Sequence, residues 1–112
     1  MIVARQEYTV APGQLERALA WLHEVRGWES YRLLYPRGCR IYATQLGRVH
    51  KVVVEAEYAS LLERLACLRT ASRRPEYQAW RQRQEHYCLH VYGGYACEGE
   101  AEADAPRELP LS

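Results

Sequence analysis

Residues 47–58 read Gly47-Arg48-Val49-His50-Lys51-Val52-Val53-Val54-Glu55-Ala56-Glu57-Tyr58. Three consecutive valines favour a strand, because β-branched side chains fit a pleated surface and lose rotamer freedom in a helix. Strand residues point alternately to opposite faces. One set is then His50, Val52, Val54, Ala56 and Tyr58, apolar enough to face helices of the same chain. The other is Lys51, Val53, Glu55 and Glu57, charged but with a valine at its centre. A helix signal follows at once. Ser60 can cap it, and Glu63 three residues on completes a capping box.

Upstream, the segment Cys39-Arg40-Ile41-Tyr42-Ala43-Thr44-Gln45-Leu46 reads as a second strand. Gly47 and Arg48 make the turn between the two, so they pair as an antiparallel hairpin. Residues 2–10, IVARQEYTV, alternate in the same way, and Pro12-Gly13 ends that strand. From Gln14 the period changes. Leu15, Ala18, Leu19, Leu22 and Val25 recur at helical spacing. The stripe continues through Trp28, Tyr31, Leu34 and Tyr35, so a helix is expected to about Leu34, with a short strand at residues 31–35 as the alternative. Downstream, Leu61, Leu62, Leu65, Ala66 and Leu68 form the expected buried stripe of the next helix. A break is expected at residues 70–74. Pro75 then suits the first position of a further helix, with Tyr77 and Trp80 inward. Residues 88–96, CLHVYGGYA, read as a last strand, with a bulge, a sharp bend or a close backbone approach expected at Gly93-Gly94.

The order β-α-β-β-α(α)-β predicts an α+β fold: a ferredoxin-like, four-stranded antiparallel sheet with helices on one face. Residues 1–97 form the domain. Residues 98–112, acidic and proline-containing, are expected to be a disordered tail. On the uncovered sheet face fall Arg5, Glu7, Arg40, Tyr42, Thr44, Lys51, Val53 and Glu55. Charges of alternate sign beside a central valine suit a second copy packed face to face, with Glu55 pairing Arg5 or Arg40. A homodimer is therefore expected, with Arg5, Glu7, Arg40, Lys51, Val53 and Glu55 at its interface.

Fifteen basic and fourteen acidic side chains in 112 residues leave a net charge of +1. That balance argues against a nucleic-acid binder, whose affinity rests on excess positive charge. No apolar run approaches the roughly 20 residues of a membrane span. No secretion signal is visible in MIVARQEY, so a cytoplasmic protein is expected. The cysteines 39, 67, 88 and 97 contain no CxxC pair and are expected to be reduced thiols. Nine tyrosines, three tryptophans and no phenylalanine favour aromatic groups with a polar tip, as in a polar pocket or interface.

The chain resembles the dimeric α/β-barrel superfamily, and within it NIPSNAP-type domains. The resemblance lies in Gly47 followed by VVVEAEY, in ASLLER, and in Pro75-Glu76-Tyr77-Gln78-Ala79-Trp80, within residues 1–96. It implies two sheets associated back to back and a cavity between each sheet and its own helices. Members include cofactor-free monooxygenases, haem-degrading enzymes and proteins of unknown role. NIPSNAP-type domains often carry a His in the central strand. Here that position matches Val54, and the nearest His is His50, so the resemblance carries fold and dimer only.

For chemistry, His50 is the candidate base near neutral pH, with Tyr42, Tyr8 and Trp80 as the lining of a small-molecule pocket. His86-x-Cys88-x-His90 would share a strand face, and imidazole and thiolate suit zinc or copper, but alternate strand residues stand about 6.5 Å apart and no acid is adjacent. Packed polar residues are the expectation, with no metal and no cofactor. Arg69, Arg73, Arg74, Arg81 and Arg83 form a basic helix surface. No triad, P-loop or dinucleotide fingerprint is present. Two readings stand: a dimeric module binding a small ligand or partner, favoured, and a cofactor-free monooxygenase acting on an aromatic or quinol-type molecule. The second needs a deep pocket holding His50 or perturbed tyrosines. The first predicts a collapsed or apolar interior.

Overall fold

In the computed structural model, residues 1–97 and 109–110 are described, the side chains of 97, 109 and 110 excepted. The hairpin forms as the valine run dictates: β2 (Arg40–Leu46) and β3 (Val49–Tyr58) pair antiparallel from Arg40 opposite Glu55 to Leu46 opposite Val49. Gly47 takes φ +62°, a left-handed turn conformation that glycine adopts without steric cost. β1 (Ile2–Val10) lies against the other edge of β3, and β4 (Cys88–Cys97) lies outside β1. The order β2-β3-β1-β4, all antiparallel, is the expected ferredoxin-like sheet. A two-residue strand, β5 (Leu109–Pro110), pairs with Tyr92 and Gly93 of β4. The expectation of a disordered tail falls otherwise on residues 98–108 and 111–112, which lie outside the described residues.

Helices cover one face. α1 (Leu15–His23) buries Ala18, Trp21 and Leu22. It does not run on to Leu34 as its stripe suggests. A 3₁₀ turn (Glu24–Gly27) follows, and a one-turn helix α2 (Tyr31–Leu34) comes after a break. Gly27 explains this: it is a poor helix residue, and the chain turns there to lay Leu34 and Tyr35 in the core. α3 (Leu61–Ser72) starts where Ser60 caps it, Ser60 Oγ accepting from Glu63 N at 3.1 Å. Glu63 closes the box one residue earlier than expected, accepting from Ala59 N at 2.9 Å. α3 runs two residues past Thr70, so the break is confined to Arg73 and Arg74. Pro75 opens α4 (Pro75–Gln82) at its first turn, and a 3₁₀ turn (Gln84–His86) leads into β4.

Two expectations reverse. The strand runs straight through Gly93 and Gly94, which pair with Gln6 and Arg5. The bulge lies lower, where Thr9 pairs His90 and Val10 pairs Cys88. More telling, α3 turns three of its four leucines outward. Leu61, Leu62 and Leu65 are exposed and Ala66 with them, while Arg64 and Ala71 are buried. Arg64, Cys67, Leu68 and Ala71 share one face at helical spacing, with Leu68 against the core as expected. Small Cys67 and Ala71 let the helix approach, and the other three leucines are left on the far side.

The core centres on Trp21 and Trp80. Their indoles stack at 4.2 Å between centroids and 9° between planes. Trp21 Nε1 donates to the Trp80 carbonyl at 2.8 Å, and Trp80 Nε1 donates to the Trp21 carbonyl at 2.6 Å. A buried indole N–H needs an acceptor, and each tryptophan supplies the other's. Among the described residues no helix is long and apolar enough to cross a membrane. Trp80→Phe removes one of these bonds and leaves a gap. It is expected to lower stability by about 1–3 kcal/mol, read as a lower urea midpoint by circular dichroism.

Candidate functional site

The four residues expected to line a pocket do not converge. Tyr8 and Trp80 are both buried on the helix side of the sheet, and Trp21 fills the space between them, edge-on to Tyr8 at 5.8 Å. His50 is also on the helix-facing side of β3 but at its start, in a surface depression with Gly13, Gln14, Leu15, Glu16 and Arg17. Tyr42 is on the other side of the sheet altogether, opposite Val53. The physical reason is the alternation of β2: Tyr42 shares a face with Arg40 and Thr44, so it cannot meet His50 in one cavity. Where the small-molecule pocket was expected, the interior is packed with indole and phenol rings.

The other pattern dissolves for a similar reason. His86 sits in the 3₁₀ turn, and the bulge separates Cys88 from His90: Cys88 pairs with buried Val10, His90 with Thr9 on the opposite face. No group of three or more His, Cys, Asp or Glu able to hold a metal occurs among the described residues. Cys39, Cys67 and Cys88 are free thiols, and burial pushes Cys88 up to about 11, which keeps it protonated and unreactive. Of the arginines near the helix break, Arg83 pairs Glu24 through two nitrogens at 2.8 and 2.9 Å, and Arg74 pairs Glu76 at 3.1 Å.

The expected interface residues do share one face. Glu7 lies between Val53 of β3 and Tyr92 of β4, and Tyr42 completes the row on the far side of Val53. The row on one side of it runs Arg40, Glu55, Arg5, Gly94, and the row on the other side Thr44, Lys51, Thr9, His90. Glu55 pairs with Arg40 at 3.1 Å. Glu7 pairs with Lys51 at 3.0 Å and lies 3.8 Å from Arg5. Val53 is fully buried beneath these side chains, outside the main core. Tyr42 and Tyr92 stand exposed on either side of it. Tyr92 was not foreseen as part of this surface; the signal was the alternation of β4 beyond its bulge.

Beneath the sheet, Arg64 is the residue that pattern reading missed. Only 4% of it is exposed. Its Nη1 donates to the Tyr58 hydroxyl at 3.1 Å, and its guanidinium lies 5.3 Å from the centre of that ring. Tyr58 in turn donates to the Leu34 carbonyl at 2.7 Å, tying α2 to β3. Arg64 Nε has no hydrogen-bond partner, and no carboxylate meets Arg64 among the described residues. Burial works against its charge, yet Tyr58 and Tyr35 restore it, and the guanidinium stays protonated.

The sequence matches no protein-family model and no curated protein. Solved structures match it in fold. An uncharacterised NIPSNAP domain protein from Burkholderia xenovorans aligns with a TM-score of 0.71 and 19% identity, covering 88% of this chain and 95% of its own. A NIPSNAP family protein from Agrobacterium tumefaciens gives 0.72 and 19% identity, covering 88% and 86%. A NIPSNAP-like domain protein, also from Burkholderia xenovorans, gives 0.69 and 19% identity, covering 99% and 93%. The chain therefore has a NIPSNAP-like α+β fold, as the short motifs implied. At this identity the likeness speaks for architecture alone.

The buried phenols set a pH dependence. Burial, opposed by Arg64, holds Tyr58 up at about 12 against an ordinary 10.0. Burial raises Tyr8 and Tyr35 as well. The folded chain keeps these protons where the unfolded chain has lost them, so stability falls as pH rises from about 10 upward through 12. Alkaline unfolding followed by circular dichroism, with tyrosinate absorbance as second probe, should show the last part of the tyrosinate signal appearing together with the loss of secondary structure. Ionisation of all nine tyrosines in a still-folded chain would contradict this burial.

Proposed function

We propose that the protein is a homodimeric binding module, two copies joined through the open faces of their sheets. The observation that carries this is the row Tyr42, Val53, Glu7 and Tyr92 across four strands. An exposed aromatic pair around an apolar centre is the composition of an interface core, and tyrosine is enriched at such cores. The surrounding carboxylates already have cationic partners within the chain, so a second copy covers paired charges and leaves none stranded. A face that meets its own copy about a two-fold axis needs this self-complementary mixture of signs.

Binding is favoured over oxygenase chemistry because the interior is filled by Trp21, Trp80 and Tyr8, and His50 stands apart from them. The ligand half of the reading rests on the openings that remain at the surface.

Light scattering should give the full chain a mass of twice 13.0 kDa at micromolar concentration. Tyr42→Asp, which sets a carboxylate beside Val53 on that face, should leave a folded species of 13.0 kDa. An unchanged dimer mass in that variant would place the joint on another surface. A stable wild-type monomer would overturn the dimer.

A further inference from the structure

Where β2 begins, β3 runs on past it, and the segment Pro36-Arg37-Gly38-Cys39 crosses in front of the free edge. A cleft of about 460 Å3 opens there, with Ala56 and Val3 at its floor. Four guanidinium groups line it, from Arg26, Arg32, Arg37 and Arg40, against two carboxylates, Glu55 and Glu57. These four come from separate elements: the 3₁₀ turn, α2, the crossing segment and the start of β2. All four lie within residues 26–40, and the fold of that stretch sets them around one opening.

Their existing contacts divide them into two kinds. Arg37 pairs with Glu63, and Arg40 with Glu55. Among the described residues Arg26 and Arg32 meet only neutral acceptors. Arg26 donates to the Cys39 carbonyl at 2.9 Å and to His23 Nδ1 at 3.3 Å. Arg32 makes one long bond, 3.4 Å, to the Pro36 carbonyl. A guanidinium carries five N–H donors in a planar fork matched to carboxylate and phosphate oxygens. Arg32 thus keeps most of its donors uncommitted beside the opening.

The wall between these two arginines is held in place by Tyr31. Its hydroxyl accepts from Cys39 N at 2.9 Å and faces Cys39 Sγ at 3.7 Å, while Arg32 lies 5.5 Å from its ring centre. Gly38 takes φ +76°, and a Cβ there would come 3.3 Å from that hydroxyl, so glycine is needed for the segment to lie this close.

We infer that this cleft is the ligand site of the module and takes a small molecule bearing an oxyanion, a phosphate or a carboxylate, between Arg26 and Arg32. The inference rests on the binding-module reading and supplies its ligand class. With Arg37 set against Glu63 and Arg40 against Glu55, Glu57 offsets one of the two remaining guanidinium charges, so the opening keeps a net positive charge for an oxyanion, and the polar walls suit no large apolar group.

Isothermal titration of the full chain at low ionic strength tests it, with inorganic phosphate, succinate and choline as probes. One saturable site per chain is expected for phosphate or succinate, and none for choline. Phosphate alone would identify an ester ligand, succinate alone a carboxylate. Arg32→Gln, whose lost bond is marginal for folding, should weaken binding about tenfold, as should Arg26→Gln. Arg48→Gln, on the hairpin turn, should leave it unchanged. Absence of saturable binding by both anions, or binding unchanged from the wild type in both cleft variants, would overturn the site. The dimer is read separately, by mass, so either claim fails without the other.

Discussion

Two indole N–H groups that must be satisfied away from water constrain this molecule more than any other contact. Trp21 and Trp80 are 59 residues apart, yet each donates to the other's backbone carbonyl while their rings stack. The arrangement admits one register of α1 against α4. Tyr8, Trp28, Tyr77 and Tyr87 then pack around the pair at centroid distances near 6 Å. Large rings joined in this way bury much apolar area and leave no room beneath the sheet. The proposed function accordingly uses surfaces: the open sheet face and the arginine cleft at the edge of β3.

α3 obeys a second constraint. Turning Leu61, Leu62 and Leu65 outward forgoes burial worth about 1.5–3 kcal/mol for each side chain that could have been fully enclosed. In exchange the helix places Arg64 under Tyr58, and Tyr58 reaches the Leu34 carbonyl. That chain of bonds anchors α2, and α2 carries Tyr31 and Arg32 to the cleft. Among the described residues Arg64 itself remains without a carboxylate, an arrangement in which a buried cation depends on phenol oxygens and a ring face. The exposed leucines and the buried arginine are therefore two consequences of one helix phase.

Much of the sheet was legible because alternation is a local property. Val52, Val54, Ala56 and Tyr58 against Lys51, Val53 and Glu55 assign both faces of β3 without further information, and Gly47 marks the turn. Ser60, Glu63 and Pro75 announce their helix starts by hydrogen-bonding chemistry that needs no partner element. The failures share a cause. The phase of α3 depends on what lies beneath it, and leucine content misled because Arg64 satisfies a bond to Tyr58 that no helical window contains. The bulge at Thr9 and Val10 shifts β4 by one residue and moves Cys88 away from His90. The pocket of His50, Tyr42, Tyr8 and Trp80 mixed two sheet faces and overlooked Trp21. The cleft was invisible for the same reason: Arg26, Arg32, Arg37 and Arg40 meet only when the turn after α1, α2 and the start of β2 are folded together.

The account turns on the open sheet face being an inner surface of an assembly. Hydroxyl-radical labelling of Tyr42 and Tyr92, followed peptide by peptide over a range of protein concentrations, measures this directly, with Tyr31 as a reference on the same chain. Both residues should lose reactivity as concentration rises from nanomolar to micromolar while Tyr31 stays constant. Equal reactivity of Tyr42 and Tyr92 at every concentration would show that face to be solvated, and the assembly described here would be wrong.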